Sequence, residues 1–393
     1  MRTVITNVKA VLEQEVRENM QVILEDGKIK TIGQLEKTYP GQLLADEIFD
    51  GGGQYLAPGL IDIHLHGGAG YDFMDAAPEA FQKIADYHSA HGITSMLATT
   101  LAGEEQETLA VLQAFMQYAP GIHNCNLLGV HLEGPYFSQS QRGAQDPKYI
   151  VPPEMEQCKR FLETGCVKRI SLAPELPGAL ELGDYLKSLG IVVSAGHTEA
   201  DYDMIRKASR HGYSLLTHLY SGMQGVHRKG PFRYGGAVEA GLLLDEMAVE
   251  VIADGCHLPE CLLKLIYKCK GSGKMILITD AMRGAGLSEG EHTVLGSLTK
   301  GQQVVIEKGV AMMPDGTSFA GSVASGDRLL RTMRDIAGVP LPEAVAMMTR
   351  NPARLLGIED RKGSLRPGMD GDLILFDEDI RIKAVWVAGR KVV

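Results

Sequence analysis

The chain has 393 residues, 45% of them hydrophobic and 22% charged, which permits a large core and excludes wholesale disorder. A net charge of −10 with no basic run excludes a general nucleic-acid surface, while a local cationic pocket for an anionic small molecule stays open. At roughly 150 residues per domain, the length fits two or three domains, or one large α/β barrel with an attachment.

In chain order, residues 1–9 lack the apolar core of a signal peptide. No stretch approaches the ~20 apolar residues of a membrane span, so a cytoplasmic protein without membrane contact is expected. The six cysteines form no CxxC pair, which fits a reducing compartment. Residues 3–11 and 22–32 are rich in β formers, and the second segment contains the turn Glu25-Asp26-Gly27. From Gly51 onward, apolar runs alternate with amphipathic helical stretches. The runs are 56–66, 93–99, 127–133, 169–173, 191–197, 214–220, 249–254 and 275–280, and the gaps leave room for a helix each. Segments 78–91, 198–210 and 258–270 read as three of those helices. Eight apolar strands, each returning through a helix, predict a parallel (β/α)8 barrel of the TIM type; a doubly wound open sheet is the competing arrangement. A hairpin-like insert (292–319), two helical stretches (324–336 and 340–356) and two terminal strands follow. The β-rich ends are expected to pair into a small β-sandwich. The expected division is 1–52 and 358–393 for that domain and 53–357 for the barrel.

Ligand-type residues recur at one place in this pattern. His64 and His66 end the first run, Glu133 the third, His197 the fifth, His218 lies near the end of the sixth, and Asp280 ends the eighth. Barrel chemistry sits at the C-terminal strand ends, so these residues should converge although they span more than 200 positions. Alternation along a strand points both imidazoles of His64-Leu65-His66 to the same side. Paired imidazoles suit zinc or iron; two buried, hydrogen-bonded histidines are the plainer alternative. A carboxylate such as Glu133 inside a barrel is costly unless paired or metal-bound. His131, two residues earlier, reads as an outer partner or core residue. His88, His91, His211 and His292 read as surface or capping residues. His257 follows the seventh run, and Arg228 and Lys229 follow the sixth; all three are candidates for holding an anionic group. No phosphate loop, nucleophile elbow or dinucleotide fingerprint occurs.

On these residues the sequence resembles the amidohydrolase superfamily, and within it the deacetylase family acting on N-acetylglucosamine 6-phosphate. The resemblance runs the whole length. It rests on Ala57-Pro58-Gly59-Leu60-Ile61-Asp62-Ile63-His64-Leu65-His66-Gly67, His131-Leu132-Glu133-Gly134-Pro135, Ser194-Ala195-Gly196-His197-Thr198, Thr217-His218-Leu219-Tyr220, Ile252-Ala253-Asp254-Gly255 with His257, and Thr279-Asp280-Ala281-Met282. It implies a side domain built from both chain ends. It also implies that Glu133, His197 and His218 hold a metal, with His64, His66 and Asp280 completing the ligand set. One or two divalent ions per chain follow, zinc or iron, or manganese or cobalt in substitution. Asp280 matches the family's general acid/base. By the same resemblance the substrate faces Ala144, Gln145, Ser221, Gly222, Arg228, Asp254, His257, Phe319, Ala320 and Gly321. Arg228 would reach a neighbouring subunit's site, implying a homodimer or higher homo-oligomer.

The implied activity is metal-dependent hydrolysis of the N-acetyl group of N-acetylglucosamine 6-phosphate, with an amino-sugar phosphate as the small-molecule partner. Three departures fall at the sugar-phosphate end. Ser221-Gly222 stands where the family has Asn-Ala, Gln145 where it often has His, and Arg228-Lys229-Gly230-Pro231 where it has Arg-Glu-Pro-Gly. They leave the galacto epimer or an unphosphorylated N-acetylhexosamine as alternative substrates. A catalytically silent metabolite-binding scaffold is the alternative of another class, and the intact Asp280 argues against it.

Overall fold

Pro58 and Gly59 separate the two eight-stranded sheets of the molecule. The computed structural model describes residues 1–35 and 45–393. In it, Tyr55–Pro58 pairs with Leu373–Phe376 and with Arg2–Val11, so it belongs to the sheet of the chain ends. The chain then bends at Gly59, where a Cβ would lie 2.1 Å from Thr94 Oγ1, and enters the first barrel strand, Leu60–Leu65. The sequence reading ran both segments together as 56–66. The missing Gly59 side chain is what lets the chain turn so close to the second strand.

The remaining barrel strands are Ile93–Thr100, Asn126–Glu133, Val167–Leu172, Val192–Ala195, Tyr213–Leu216, Ala248–Val251 and Met275–Leu277. They pair in parallel and in chain order. The eighth meets the first through Asp280 N–H, which donates to His64 O at 2.9 Å. The Thr279 hydroxyl donates to the buried Asp62 Oδ2 at 2.5 Å. The result is a nearly closed eight-stranded parallel barrel.

Amphipathic helices cover its outside, among them Pro78–Ala90, Glu105–Tyr118, Tyr202–Arg210 and Glu260–Lys270. The helix expected from Thr198 starts at Tyr202, capped by Asp201, whose side chain accepts Met204 N–H at 3.0 Å. Thr198 is engaged elsewhere: its hydroxyl donates to Glu175 Oε2 at 2.5 Å. His88, expected as a surface or capping residue, is fully buried, and its Nε2 hydrogen-bonds Gly67 O at 2.9 Å. That bond ties the first helix to the loop leaving the first strand.

The insert after the eighth strand forms a three-stranded antiparallel sheet, His292–Leu295, Gln302–Glu307 and Val310–Met312. The chain ends form one branched eight-stranded sheet, ordered from Arg390–Lys391 through Ile382–Val387, Leu373–Phe376, Tyr55–Pro58, Arg2–Val11 and Val16–Glu25 to Lys28–Gln34, with Glu47–Asp50 beside Arg2–Val11. Ile5, Val22, Ile29, Leu373 and Trp386, drawn from both ends of that sheet, share one apolar cluster, so the sheet curls around its own core. Among the described residues no helix is long and apolar enough to cross a membrane.

Candidate active site

Three candidate ligands, two or three residues past the ends of their strands, have an uncommon backbone conformation. His197 (φ 48°), His218 (φ 28°) and Asp280 (φ 49°) all lie in the left-handed region. Non-glycine residues there are uncommon and cluster at functional sites. The turn at each position carries the side chain over the barrel mouth instead of along the strand.

The convergence point is Glu133. Its Oε1 lies 3.0 Å from His218 Nε2, 3.2 Å from His197 Nε2 and 3.3 Å from His64 Nε2. Its Oε2 lies 3.5 Å from His66 Nε2. Asp280 Oδ1 sits 3.2 Å from His66 Nε2 and 3.5 Å from His64 Nε2. All six residues are buried. They contain two overlapping ligand triads, His64–His66–Glu133 and Glu133–His197–His218, with Glu133 common to both. Outer partners turn the Nε2 atoms inward: His197 Nδ1 bonds Gln141 O at 2.8 Å, His218 Nδ1 bonds Ser221 O at 3.1 Å, and His64 Nδ1 meets Glu250 Oε2 at 3.3 Å.

This cluster fits a divalent cation. His64 Nε2 is buried and has no hydrogen-bond partner, although two carboxylates lie within 3.5 Å. Burial alone would depress the His64 imidazole, yet Glu133, Glu250 and Asp280 pull it up to about 10. Burial would likewise raise the Glu133 carboxyl, but His64, His197 and His218 hold it well below the usual range. The carboxylates thus demand positive charge at their centre. Imidazole and carboxylate donors suit zinc, iron, manganese or cobalt.

A cavity of about 210 Å³ opens above the cluster. Ala144, Gln145, Ser221, Gly222, His257, Phe319 and Gly321 line it, together with His66, Glu133, His197, His218 and Asp280. Three expected substrate contacts are placed elsewhere. Ala320 is fully buried behind the wall, in the apolar cluster with Met282 and Val304. The Asp254 side chain has no exposure; it accepts Cys256 and His257 N–H at 2.8 Å each and meets His257 Nδ1 at 2.8 Å, so it orients His257. Arg228 stands exposed on the hairpin His227–Lys229/Phe232–Tyr234, outside the chain's own cavity.

Two of the departures act on the metal end. Gln145 is spent on both sides: its amide donates to Glu133 Oε2 at 2.7 Å and its oxygen accepts Ala102 N–H at 2.9 Å. A Cβ at Gly222 would stand 2.7 Å from His197 Nδ1, so glycine there gives the ring its room. The sequence reading missed Arg169 and Glu250, an ion pair without solvent exposure beneath the cluster. The available signal was Glu250, a charge inside the otherwise apolar strand Ala248–Val251. His131 packs its ring 4.6 Å from His64 and bonds Ser171 Oγ at 2.7 Å. A larger cleft of about 450 Å³, lined by Glu13, Pro58 and Arg350 among others, contains none of the candidate ligands.

The profile of the amidohydrolase family matches residues 55–392, and the chain belongs to that family. It is similar to the N-acetylglucosamine-6-phosphate deacetylase of Bacillus subtilis (strain 168), with 35% identity over 384 residues, 96% of this chain and 94% of that one. It is also similar to the N-acetylgalactosamine-6-phosphate deacetylase of Escherichia coli O157:H7, with 34% identity over 340 residues, 86% of this chain and 87% of that one. Among solved structures it resembles an Asp-to-Ala mutant of the Mycobacterium smegmatis N-acetyl-D-glucosamine-6-phosphate deacetylase in complex with N-acetyl-D-glucosamine-6-phosphate. The TM-score is 0.90 and the identity 29%, covering 100% of this chain and 99% of that one.

Proposed function

We propose that this chain is a metal-dependent deacetylase that hydrolyses N-acetylglucosamine 6-phosphate to glucosamine 6-phosphate and acetate. The observation that carries this reading is the convergence of four histidines on Glu133, with Asp280 beside His64 and His66, at a small cavity. The near full-length likeness to amino-sugar-phosphate deacetylases supports it. Glu133, His197 and His218 would hold one divalent ion, and His64 and His66, with Glu133 shared, a second. When bound, the metal supplies a fixed positive charge that acidifies a nucleophilic water and polarises a carbonyl.

The protein's own groups do the rest. Asp280, at the cavity floor, accepts the proton as water adds to the amide carbonyl carbon. The C–N bond then breaks, its electron pair goes to nitrogen, and Asp280 returns the proton to that leaving amine. Burial would raise the Asp280 carboxyl, but His64 and His66 lower it, so it begins the cycle as the base.

The phosphate end needs a second chain. Among the described residues no lysine or arginine lines the cavity, and His257, oriented by Asp254, is a candidate donor for an anion there. A sugar phosphate is recognised most strongly by a guanidinium. Arg228 supplies it if the exposed hairpin enters a neighbour's cavity. Phe232, 67% exposed, and Val226, 62% exposed, would then be covered in a homodimer or higher homo-oligomer. All six cysteines are free, which supports a cytoplasmic setting.

Acetate release from N-acetylglucosamine 6-phosphate, its galacto epimer and both unphosphorylated sugars tests the reading. A clear preference for the gluco phosphate is expected. Faster turnover of the galacto phosphate would move the chain toward the function named for its Escherichia coli relative. No acetate from any of the four would overturn the reading.

A further inference from the structure

Beneath the candidate ligands, polar side chains cross the interior of the barrel where aliphatic layers are usual. At their centre Arg169, on the fourth strand, pairs with Glu250, on the seventh, both without solvent exposure. Every donor of Arg169 is committed. Nη1 binds Glu250 Oε1 and Ile63 O (3.2 Å), Nη2 binds Glu250 Oε2 (2.9 Å), Ser171 Oγ (3.3 Å) and Thr217 Oγ1 (3.2 Å), and Nε binds Ser194 Oγ (3.2 Å). Holding a barrel together does not require such a pair, since apolar replacement of buried ion pairs is often neutral or stabilising.

The upper side of the pair gives it a use. Glu250 Oε2 faces His64 Nδ1 at 3.3 Å and accepts His218 N–H at 3.2 Å. Glu250 takes Arg169 N–H donors on both oxygens and the His218 N–H on Oε2, so toward His64 it offers only an acceptor. His64 therefore carries hydrogen on Nδ1. Its Nε2, the buried atom without a hydrogen-bond partner, is turned toward Glu133 and Asp280.

We propose that Glu250, locked by Arg169, is a positioning residue that fixes His64 with Nδ1 protonated and so presents the Nε2 lone pair to the divalent ion. The proposal rests on the reading of His64 as a metal ligand. A carboxylate behind a ligating histidine typically changes metal affinity 10–100-fold when removed. Glu250→Gln is the informative change. Its carbonyl can stay with Arg169, and its NH2 then faces His64, where only an unprotonated Nδ1 accepts it. That places the hydrogen on Nε2 and removes the lone pair.

The test is zinc titration of the metal-free full-length protein against a chromophoric chelator, on wild type, His64→Asn and Glu250→Gln. His64→Asn identifies the ion that depends on His64. Glu250→Gln is expected to weaken that same ion by about 10–100-fold. The affinity that depends on His197 and His218, which Glu250 touches only through the His218 N–H, should weaken distinctly less, and an unchanged melting temperature of the metal-free protein certifies the fold. Wild-type affinity for the His64-dependent ion in Glu250→Gln overturns the proposal. So does equal weakening of both affinities together with a lowered melting temperature of the metal-free protein, the signature of a merely structural role. If His64→Asn changes no affinity, the ligand reading itself fails and takes the proposal with it. Should Glu250→Gln not fold, Arg169→Met/Glu250→Met removes both charges together, and the same selective loss is required of it.

Discussion

Two buried polar clusters in this molecule make opposite use of charge. At the junction of barrel and terminal sheet, Lys362 Nζ pairs with Asp372 Oδ2 and lies 3.2 Å from Asp370 Oδ2. Asp372 also accepts Asn126 Nδ2 at 3.0 Å and Ala388 N–H at 2.8 Å. Charge meets charge, donors meet acceptors, and the cluster is complete within the protein. At the barrel mouth, Glu133 and Asp280 face four imidazoles and the Gln145 amide but no lysine or arginine partner among the described residues, His64 Nε2 has no hydrogen-bond partner, and the backbone is held in left-handed conformation at three positions. Completed buried polarity fixes structure, and incomplete buried polarity points to something the protein binds.

Substitutions at the two clusters should therefore separate activity from stability. Asp280→Asn, reloaded with metal, is expected to lower kcat by ~10²–10⁴ while the melting temperature holds. Near-normal kcat with metal bound would move the proton to another group. Lys362→Met should do the reverse. It leaves the buried Asp372 carboxylate without its cation, while Asp370 keeps Lys28 and Arg361, and a loss of about 3–5 kcal/mol in denaturant unfolding is expected with kcat of the folded protein unchanged.

Two smaller effects sharpen the mouth itself. Arg228→Ala should remove about 2–3 kcal/mol of phosphate recognition, or roughly 30–150-fold in kcat/KM for the phosphorylated sugar, and barely touch the unphosphorylated one. An unchanged ratio between the two substrates would take Arg228 away from the phosphate. Gly222→Ala forces a methyl toward His197, and overpacking of this kind costs about 1–3 kcal/mol. It should appear as weaker metal binding, read by chelator competition, with little change in secondary structure by circular dichroism.

The barrel was legible because eight apolar runs were spaced for helices, and the mouth because its ligands end those runs. What escaped the sequence depends on side-chain direction. Asp254 and His257 look alike as rim residues, yet one is sealed behind the other. Gln145 stands at a position expected to read the sugar, but its short reach to Glu133 and Ala102 N–H spends both ends of the amide. Pro58-Gly59 hid a change of sheet inside one apolar run, because strand periodicity does not record which sheet a strand joins. Arg169 and Glu250 were visible as charges within strands, but the partner of each lies 81 residues away.

Acetate release from N-acetylglucosamine 6-phosphate, followed while a divalent metal is returned stepwise to metal-free protein, tests the central claim most directly. The expected result is negligible turnover without metal and a rise that levels off at one or two ions per chain. Full turnover by the metal-free protein, or no acetate at any metal loading, would contradict it.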